Sequence, residues 1–323
     1  MAKRYVNQLV EKEAVDEVFL VNEKQLRSNR SGNLYLQLRL ADRTGSFTGM
    51  LWNANEKIAA TFGGGDYVRI QGTSQFYNGQ LQVILTRVVK VEAAEVDPTD
   101  FVVLGTEELD ALIAKLRERI AAIRDVHLRS LGEVLLADET LIGKLRTAPA
   151  GIKNHHAYRG GLLEHVVSVI GLADRTADHY PRLDRDLLMI GALWHDLGKL
   201  DELTYDRELG YSEAGQLLGH VVIGVRMLDE RLPAAAQRSG MEFPETLANR
   251  IRHLILSHHG EYEFGSPKLP MMPEAMALHL IDNLDAKLHH FFQLIDEDPN
   301  PESPWTAYQP ALGRKIYKGT AAG

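Results

Sequence analysis

The side chains of this sequence best able to do chemistry are imidazoles and carboxylates set at wide intervals: His165, then His195-Asp196, then His220, then His258-His259, and finally Asp282 and Asp285. Imidazole and carboxylate are the ligands that divalent Mn, Fe or Zn accept in hydrolytic centres. An adjacent His and Asp at a helix end can bind one ion and bridge to a second. Chance produces a single His-Asp pair easily, but hardly the ordered set with each member on its own helix-like segment. Lys199 stands three residues past Asp196, beyond Gly198. An ammonium there can neutralise a phosphate oxygen as charge builds in a transition state; the plainer reading is a cation paired with a helix-end dipole.

Helices must deliver these groups. His165 lies on an apolar helical stretch, and Trp194-His195-Asp196-Leu197-Gly198-Lys199 ends another. Leu247, Ile251, Leu254, Ile255 and His258 share one helical face, so His258 continues an apolar stripe and points to the core. Alone it would read as a buried histidine bonded to a carbonyl; beside His165, His195, Asp196 and His220 it reads as a ligand. His259 lies next to the stripe. Asp282 and Asp285, three apart, can occupy one helix face, and only one is needed to close the site. His127, His179, His279, His289 and His290 lack such a context and are expected to be structural or on the surface. The helical region opens after Glu95-Val96-Asp97-Pro98. Leu109, Leu112, Ile113, Leu116, Ile120 and Ile123 have amphipathic spacing, with Thr106 as the expected N-cap and Glu107, Glu108 and Asp110 in the dipole-favoured first turn. From there to about residue 292 nearly every segment reads as helix.

Residues 14–92 read as strands. Leu34, Leu36, Leu38 and Leu40 alternate with polar residues, the period of a half-buried strand. Val18–Val21, Phe47–Trp52, Tyr67–Ile70 and Leu81–Val91 are further strand segments, and Asn78-Gly79 is a strong hairpin signal. About five strands in this span predict a small barrel. Small barrels of this kind bind single strands by stacking bases on aromatic rings and tracking phosphates with cations. The candidates for stacking are Tyr35, Phe47, Trp52, Phe76 and Tyr77. Those for phosphate are Arg39 and Arg43, with Arg27 and Arg30 in a polar loop. Many of the rings must also serve as barrel core.

The chain has 323 residues, 45% of them hydrophobic, enough for two buried cores. It has no Cys, which excludes disulfides and thiolate zinc sites and favours an intracellular setting. Met1–Tyr5 has no apolar run behind it, so no secretory signal is expected, and no stretch suits a bilayer. The expected location is cytoplasmic. The net charge of −8 argues against a surface built throughout to grip nucleic acid. It is uneven, however. Residues 1–96 carry 12 Lys+Arg against 10 Asp+Glu, a balance of +2, and residues 97–323 carry 24 against 34, a balance of −10. A polyanion is expected to bind the N-terminal part.

The ordered set His…His-Asp…His…His-His…Asp resembles the HD superfamily of metal-dependent phosphohydrolases. The order Leu38–Gly45, Leu51-Trp52, Gly65–Val68, Gly72 and Tyr77-Asn78-Gly79 resembles an OB-fold of the anticodon-binding and single-strand-binding type. Asn154-His155-His156-Ala157-Tyr158-Arg159-Gly160-Gly161 with Leu162–His165, then Leu256–Pro267, then Leu280–Lys287, resemble the YhaM-type 3'-to-5' exoribonucleases, as does the joining of an OB-fold to an HD domain in one chain. The likeness runs over roughly residues 14–318. It implies a multidomain chain: an N-terminal all-β OB-fold barrel over 1–96, a helical linker over 97–150 packing on the catalytic domain, and an all-α HD domain over 151–323.

In the superfamily the late ligand follows a small apolar run, which matches Leu280-Ile281-Asp282 and leaves Asp285 second. In two-metal relatives a second His such as His259 also ligates or contacts phosphate. Two ions about 3.5–4 Å apart would activate a hydroxide and stabilise the attacking and leaving oxygens. Asp196 would bridge, with His165, His195 and Asp282 on one ion and His220 and His258 on the other. Mn²⁺ is the first expectation for the ion, with Fe, Co, Mg or Zn as alternatives. His156 and Arg159 would line the substrate path. The expected activity is removal of nucleoside 5'-monophosphates from single-stranded RNA, with single-stranded DNA as a further substrate; its direction and products follow from the resemblance alone. The rivals are a phosphodiesterase or nucleotidase acting on small nucleotides, which leaves the barrel without work, and a nucleic-acid-binding regulator with a vestigial HD site, which the full ligand set opposes.

Overall fold

Alternation of apolar and polar residues builds the N-terminal strands of the computed structural model, which describes residues 3–29, 31–77, 80–101, 103–152, 158–205, 210–296, 298 and 303–319. These strands are β1 (Ala14–Ser28), β2 (Leu34–Asp42), β3 (Gly45–Trp52), β4 (Tyr67–Tyr77) and β5 (Gln80–Val91), with a short helix α1 (Glu56–Ala59) capped by the Asn55 side chain before β4. They form a closed barrel in the order β1-β2-β3-β5-β4. All pairs are antiparallel except β3 with β5. On β2, Leu36, Leu38 and Leu40 are fully buried while Tyr35, Gln37 and Arg39 face outward. Phe47 is 1% exposed and meets Phe19 edge to face at 4.8 Å. It is therefore core, and it is not free to stack a base. Arg27 lies on β1 opposite Tyr35 and not in a loop, because β1 continues its pairing with β2 as far as Ser28. Asn78, Gly79 and Arg30 lie outside the described residues.

The helical part comprises α2 (Thr106–Ala121), α3 (Val126–Ala137), α4 (Glu139–Leu145), α5 (Gly161–His179), α6 (Arg185–Trp194), α7 (Lys199–Glu202), α8 (Glu213–Asp229), α9 (Leu232–Ser239), α10 (Glu245–Ser257) and α11 (Pro273–Asp296). Two-residue strands Leu203–Thr204 and Gly210–Tyr211 pair between α7 and α8. The cap of α2 is Gly105 and Thr106 is its first helical residue; the Glu108 carboxylate turns back to accept the Gly105 N–H. The stripe read from the sequence is in the core: Leu116, Ile120 and Ile123 are buried with Leu163, Val166, Leu193, Trp194, Ile251 and Leu254 in one cluster.

The described chain divides into two compact units. One holds residues 3–103 and 290–319, and the other holds 104–205 and 210–289. The second unit thus takes in α2 to α4, and the first takes in the C-terminal stretch. Among the described residues no helix is long and apolar enough to cross a membrane.

Candidate metal centre

Five helical segments of the second unit bring the predicted ligands together. His165 projects from the first turns of α5. His195 caps the C-terminus of α6, and Asp196 follows it into the α6–α7 corner. His220 begins the second half of α8, which breaks at Gly219, whose φ of +73° lies outside the helical range. His258 caps α10 with His259 next to it, and Asp282 and Asp285 lie on α11. The corner is closed by a tight approach: a Cβ on Gly198 would stand 1.9 Å from the carbonyl oxygen of His220. Only glycine lets α7 nest against α8 there.

Asp196 organises the centre. Its Oδ2 lies 3.6 Å from His165 Nε2 and 3.5 Å from His195 Nε2. Its Oδ1 lies 3.5 Å from His220 Nε2 and 3.6 Å from His258 Nε2. Asp282 Oδ1 is 3.2 Å from His165 Nε2 and 3.8 Å from His195 Nε2. His259 Nε2 is 3.2 Å from His220 Nε2. Two triads emerge, His165–His195–Asp282 and His220–His258–His259, and one buried carboxylate turns an oxygen to each. Asp285 takes a different place: its Oδ2 is 2.8 Å from His165 Nδ1, and Ser168 Oγ donates to its other oxygen.

The donor set fits divalent ions. The Nδ1–H of His195 donates to Ala192 O (2.8 Å) and that of His258 to Ile255 O (2.7 Å). A carbonyl can only accept, so both rings carry their proton on Nδ1 and turn a bare Nε2 lone pair inward. His165 and His220 are oriented the same way by carboxylates, Asp285 and Glu202. His258 Nε2 is buried with no hydrogen-bond partner, as a lone pair meant for a cation would be.

Electrostatics agree. Burial would raise the Asp196 pKa, but Lys199, His195 and neighbouring imidazoles hold it well below the carboxylate range. Burial likewise works against ionised Asp282, and the His165 bond outweighs it. Burial depresses His195 to about 4, against the pull of Asp196 and Asp282, and burial with the neighbouring His258 and His220 depresses His259 to about 4. His165 goes the other way: its bonds to Asp282 and Asp285 overcome burial and raise it to about 9. A proton on His165 supplies, without metal, the positive charge that its carboxylates demand. Lys199 is the first residue of α7, and its Nζ pairs with Asp196 Oδ2 at 2.6 Å.

Residues 162–287 match the HD domain family, and residues 20–91 match the OB-fold nucleic acid binding domain family. The 3'-5' exoribonuclease YhaM of Bacillus subtilis (strain 168) is 35% identical over 278 residues, covering 86% of this chain and 86% of its own. That of Shouchella clausii (strain KSM-K16) is 36% identical over 280 residues, covering 86% and 85%. The chain belongs to the YhaM family of 3'-5' exoribonucleases. Among solved structures, the second OB-fold domain of replication protein A from Methanococcus maripaludis is similar over 30% of this chain and all of its own, at 21% identity and a TM-score of 0.24.

The barrel of this YhaM-family chain puts several nucleic-acid candidates on its outer side. Tyr35 and Trp52 are cross-strand partners with ring centroids 5.1 Å apart, and Trp52 is 47% exposed. Arg39 follows Tyr35 along the same face of β2. Arg43 is exposed beyond β2, with its guanidinium 4.6 Å from the Tyr5 ring centroid. Phe76 is half-buried opposite Leu81, and Tyr77 is 61% exposed at the end of β4. Arg159 is exposed in the turn before α5, and His156 lies outside the described residues. The residue that sequence reading missed is Glu202. Its Oε1 accepts the His220 N–H at 2.9 Å and lies 3.1 Å from His220 Nδ1. The only sequence signal for it was a carboxylate close behind the His-Asp pair.

Proposed function

We propose that this chain is a metal-dependent enzyme that removes nucleoside 5'-monophosphates from the 3' end of single-stranded RNA, with single-stranded DNA as a second substrate. The observation that carries this reading is Asp196, one buried carboxylate with an oxygen toward each of two imidazole-rich triads. His165, His195 and Asp282 would hold one divalent ion and His220, His258 and His259 the other, with Asp196 between them. Such ions, Mn²⁺ first and Fe, Co, Mg or Zn as alternatives, supply Lewis acidity and a water made nucleophilic at neutral pH.

The chain's own groups have separable tasks. Asp285 and Glu202 fix which nitrogens of His165 and His220 face the centre. Lys199 keeps Asp196 ionised and brings a cation to the place where charge develops on a scissile phosphate. Tyr35 and Trp52 offer rings for bases, and Arg39 and Arg43 offer cations for phosphates. Those side chains have no use on a mononucleotide, and the match to nucleic-acid-binding OB-folds supports a polymer substrate. The 3' polarity is supported by the names of the YhaM relatives. A 5'-labelled RNA incubated with Mn²⁺ is expected to give a descending ladder that stops at a 3'-terminal hairpin and disappears with chelator. Internal fragments at early times would overturn the polarity, and turnover after exhaustive chelation would overturn the metal dependence.

A further inference from the structure

The C-terminal stretch of the barrel unit carries an ordered surface that neither the metal centre nor the barrel strands account for. Residues 303–319 fold as a hairpin. Thr306 N–H donates to Ile316 O at 2.9 Å, Ile316 N–H donates to Thr306 Oγ1 at 3.0 Å, and Gln309 N–H donates to Arg314 O at 2.9 Å. Asp298 staples its base: one carboxylate oxygen accepts Lys318 Nζ at 2.6 Å and the other accepts the Ala307 N–H at 3.1 Å. The Asp298 and Lys318 side chains are nearly buried, so this pair is neutralised internally.

Thr306 and Ile316 point inward and are buried. On the other side Trp305 pairs with Tyr317, ring centroids 5.0 Å apart, and the two are 48% and 55% exposed. Exposure alternates along Lys315-Ile316-Tyr317, which puts Lys315 on the side of the rings. Residues 303–319 contain three basic residues and no acidic one, in a chain of net charge −8. With Lys318 matched by Asp298, the exposed cations are Lys315, on the side of the rings, and Arg314, whose guanidinium lies 5.5 Å from the Phe291 ring centroid. Rigid aromatic faces beside cations are the equipment for stacking bases and holding phosphates. An apolar protein partner would have to desolvate both cations, whereas a polyanion meets them with charge of the right sign. Gln309 also lines a cavity of about 100 Å³ together with Arg39 and Ser46, so the hairpin adjoins the outer side of β2 and β3.

We infer that residues 303–319 are a second single-strand-binding site, in which Trp305 and Tyr317 stack bases and Arg314 and Lys315 hold the neighbouring phosphates of a strand that continues along β2 and β3. This rests on the reading that the chain acts on single-stranded RNA. The test uses full-length protein carrying Asp196→Ala in every arm, so that the RNA survives, and fluorescein-labelled oligouridine read by anisotropy. Trp305→Ala with Tyr317→Ala is expected to raise Kd about 10-fold or more, and Trp305→Phe with Tyr317→Phe to bring it back toward the parent value. Arg314→Ala with Lys315→Ala, both at exposed positions, is expected to reduce the slope of log K against log salt by about 1.4, the loss of two phosphate contacts. An unchanged Kd in the ring variant together with an unchanged slope in the cation variant overturns the site while leaving the exoribonuclease reading intact. A change in sedimentation mass with Kd unchanged overturns it too, because the rings then hold protein. Failure of the parent to bind oligouridine overturns the single-strand reading itself.

Discussion

The candidate metal centre and the outer side of the barrel hold their candidate functional side chains by opposite means. In the centre, four imidazoles are each tied at Nδ1 by a second partner, a carbonyl for His195 and His258 and a carboxylate for His165 and His220. Every one of these Nε2 atoms then has one direction to face, and no ring can turn without breaking a buried or part-buried bond. On the barrel, Tyr35 and Trp52 lean on one another at the surface and Arg39 and Arg43 reach outward. Coordination is directional and fails with small misalignment, so it needs orientation fixed from behind. Stacking accepts any base at many angles, so partly exposed rings suffice.

That contrast can be broken at several points. The greatest effect is expected of Asp196→Ala, which removes the carboxylate that faces both triads: hydrolysis should vanish and bound Mn²⁺, counted by elemental analysis, should fall while circular dichroism is unchanged. Full metal content in this variant would mean that the triads do not share a ligand. Next comes Lys199→Ala, expected to lower kcat on the order of 10²-fold with a smaller change in KM, by analogy with the loss of one charge-stabilising donor; steady-state kinetics with an unchanged kcat would reduce Lys199 to a structural partner of Asp196. Glu202→Gln should cost roughly 10- to 100-fold in metal affinity, because it loosens His220 from behind without touching an ion. Calorimetric affinity equal to wild type would show that its backbone bond alone orients the ring.

The pH response of the metal-free protein has a defined sign. His165 is raised to about 9 from 6.5, so its contribution is complete below about pH 6.5 and is lost as pH rises through 9. His195 and His259, lowered to about 4, contribute above pH 6.5 and lose that contribution as pH falls toward 4. The Tm without metal should therefore peak near pH 6.5 and decline on both sides. With Mn²⁺ the alkaline decline should disappear, because the ion takes over from the His165 proton; a decline that persists identically with metal would remove His165 from the ligands. The smallest effect separates barrel face from barrel core. Trp52→Ala should weaken single-strand binding about fivefold or more at constant Tm. Phe47→Ala should cost about 3–5 kcal/mol of stability. Equal Tm losses in the two would place Trp52 in the core.

Much of this architecture was legible because period and chemistry spoke together. Leu36, Leu38 and Leu40 alternate and are buried, and Ile251, Leu254, Ile255 and His258 share one buried helical face. Choosing between Asp282 and Asp285 was beyond spacing, since both sit on one face of α11; only the fold shows one carboxylate at His165 Nε2 and the other at Nδ1. Glu202 was invisible because a carboxylate in a short helix has no period to betray it. Spacing alone could not divide the aromatic candidates between core and surface, because a ring on a strand can face either way; its pairing with Phe19 places Phe47 in the core. The hairpin at 303–319 was missed because it is held by a buried ion pair and single bridges instead of by a periodic stripe.

The carbonyls that tie His195 and His258 lie three residues back on the same helix, Ala192 on α6 and Ile255 on α10. Those tethers need no other part of the chain. The tethers of His165 and His220 span 120 and 18 residues. During assembly, then, two ligands are aimed as soon as their own helix ends form, and the other two only after α11 and α7 have docked. An ion captured early at either of these two histidines would draw the rest of its own triad toward it, so the order of folding is expected to depend on the supply of metal.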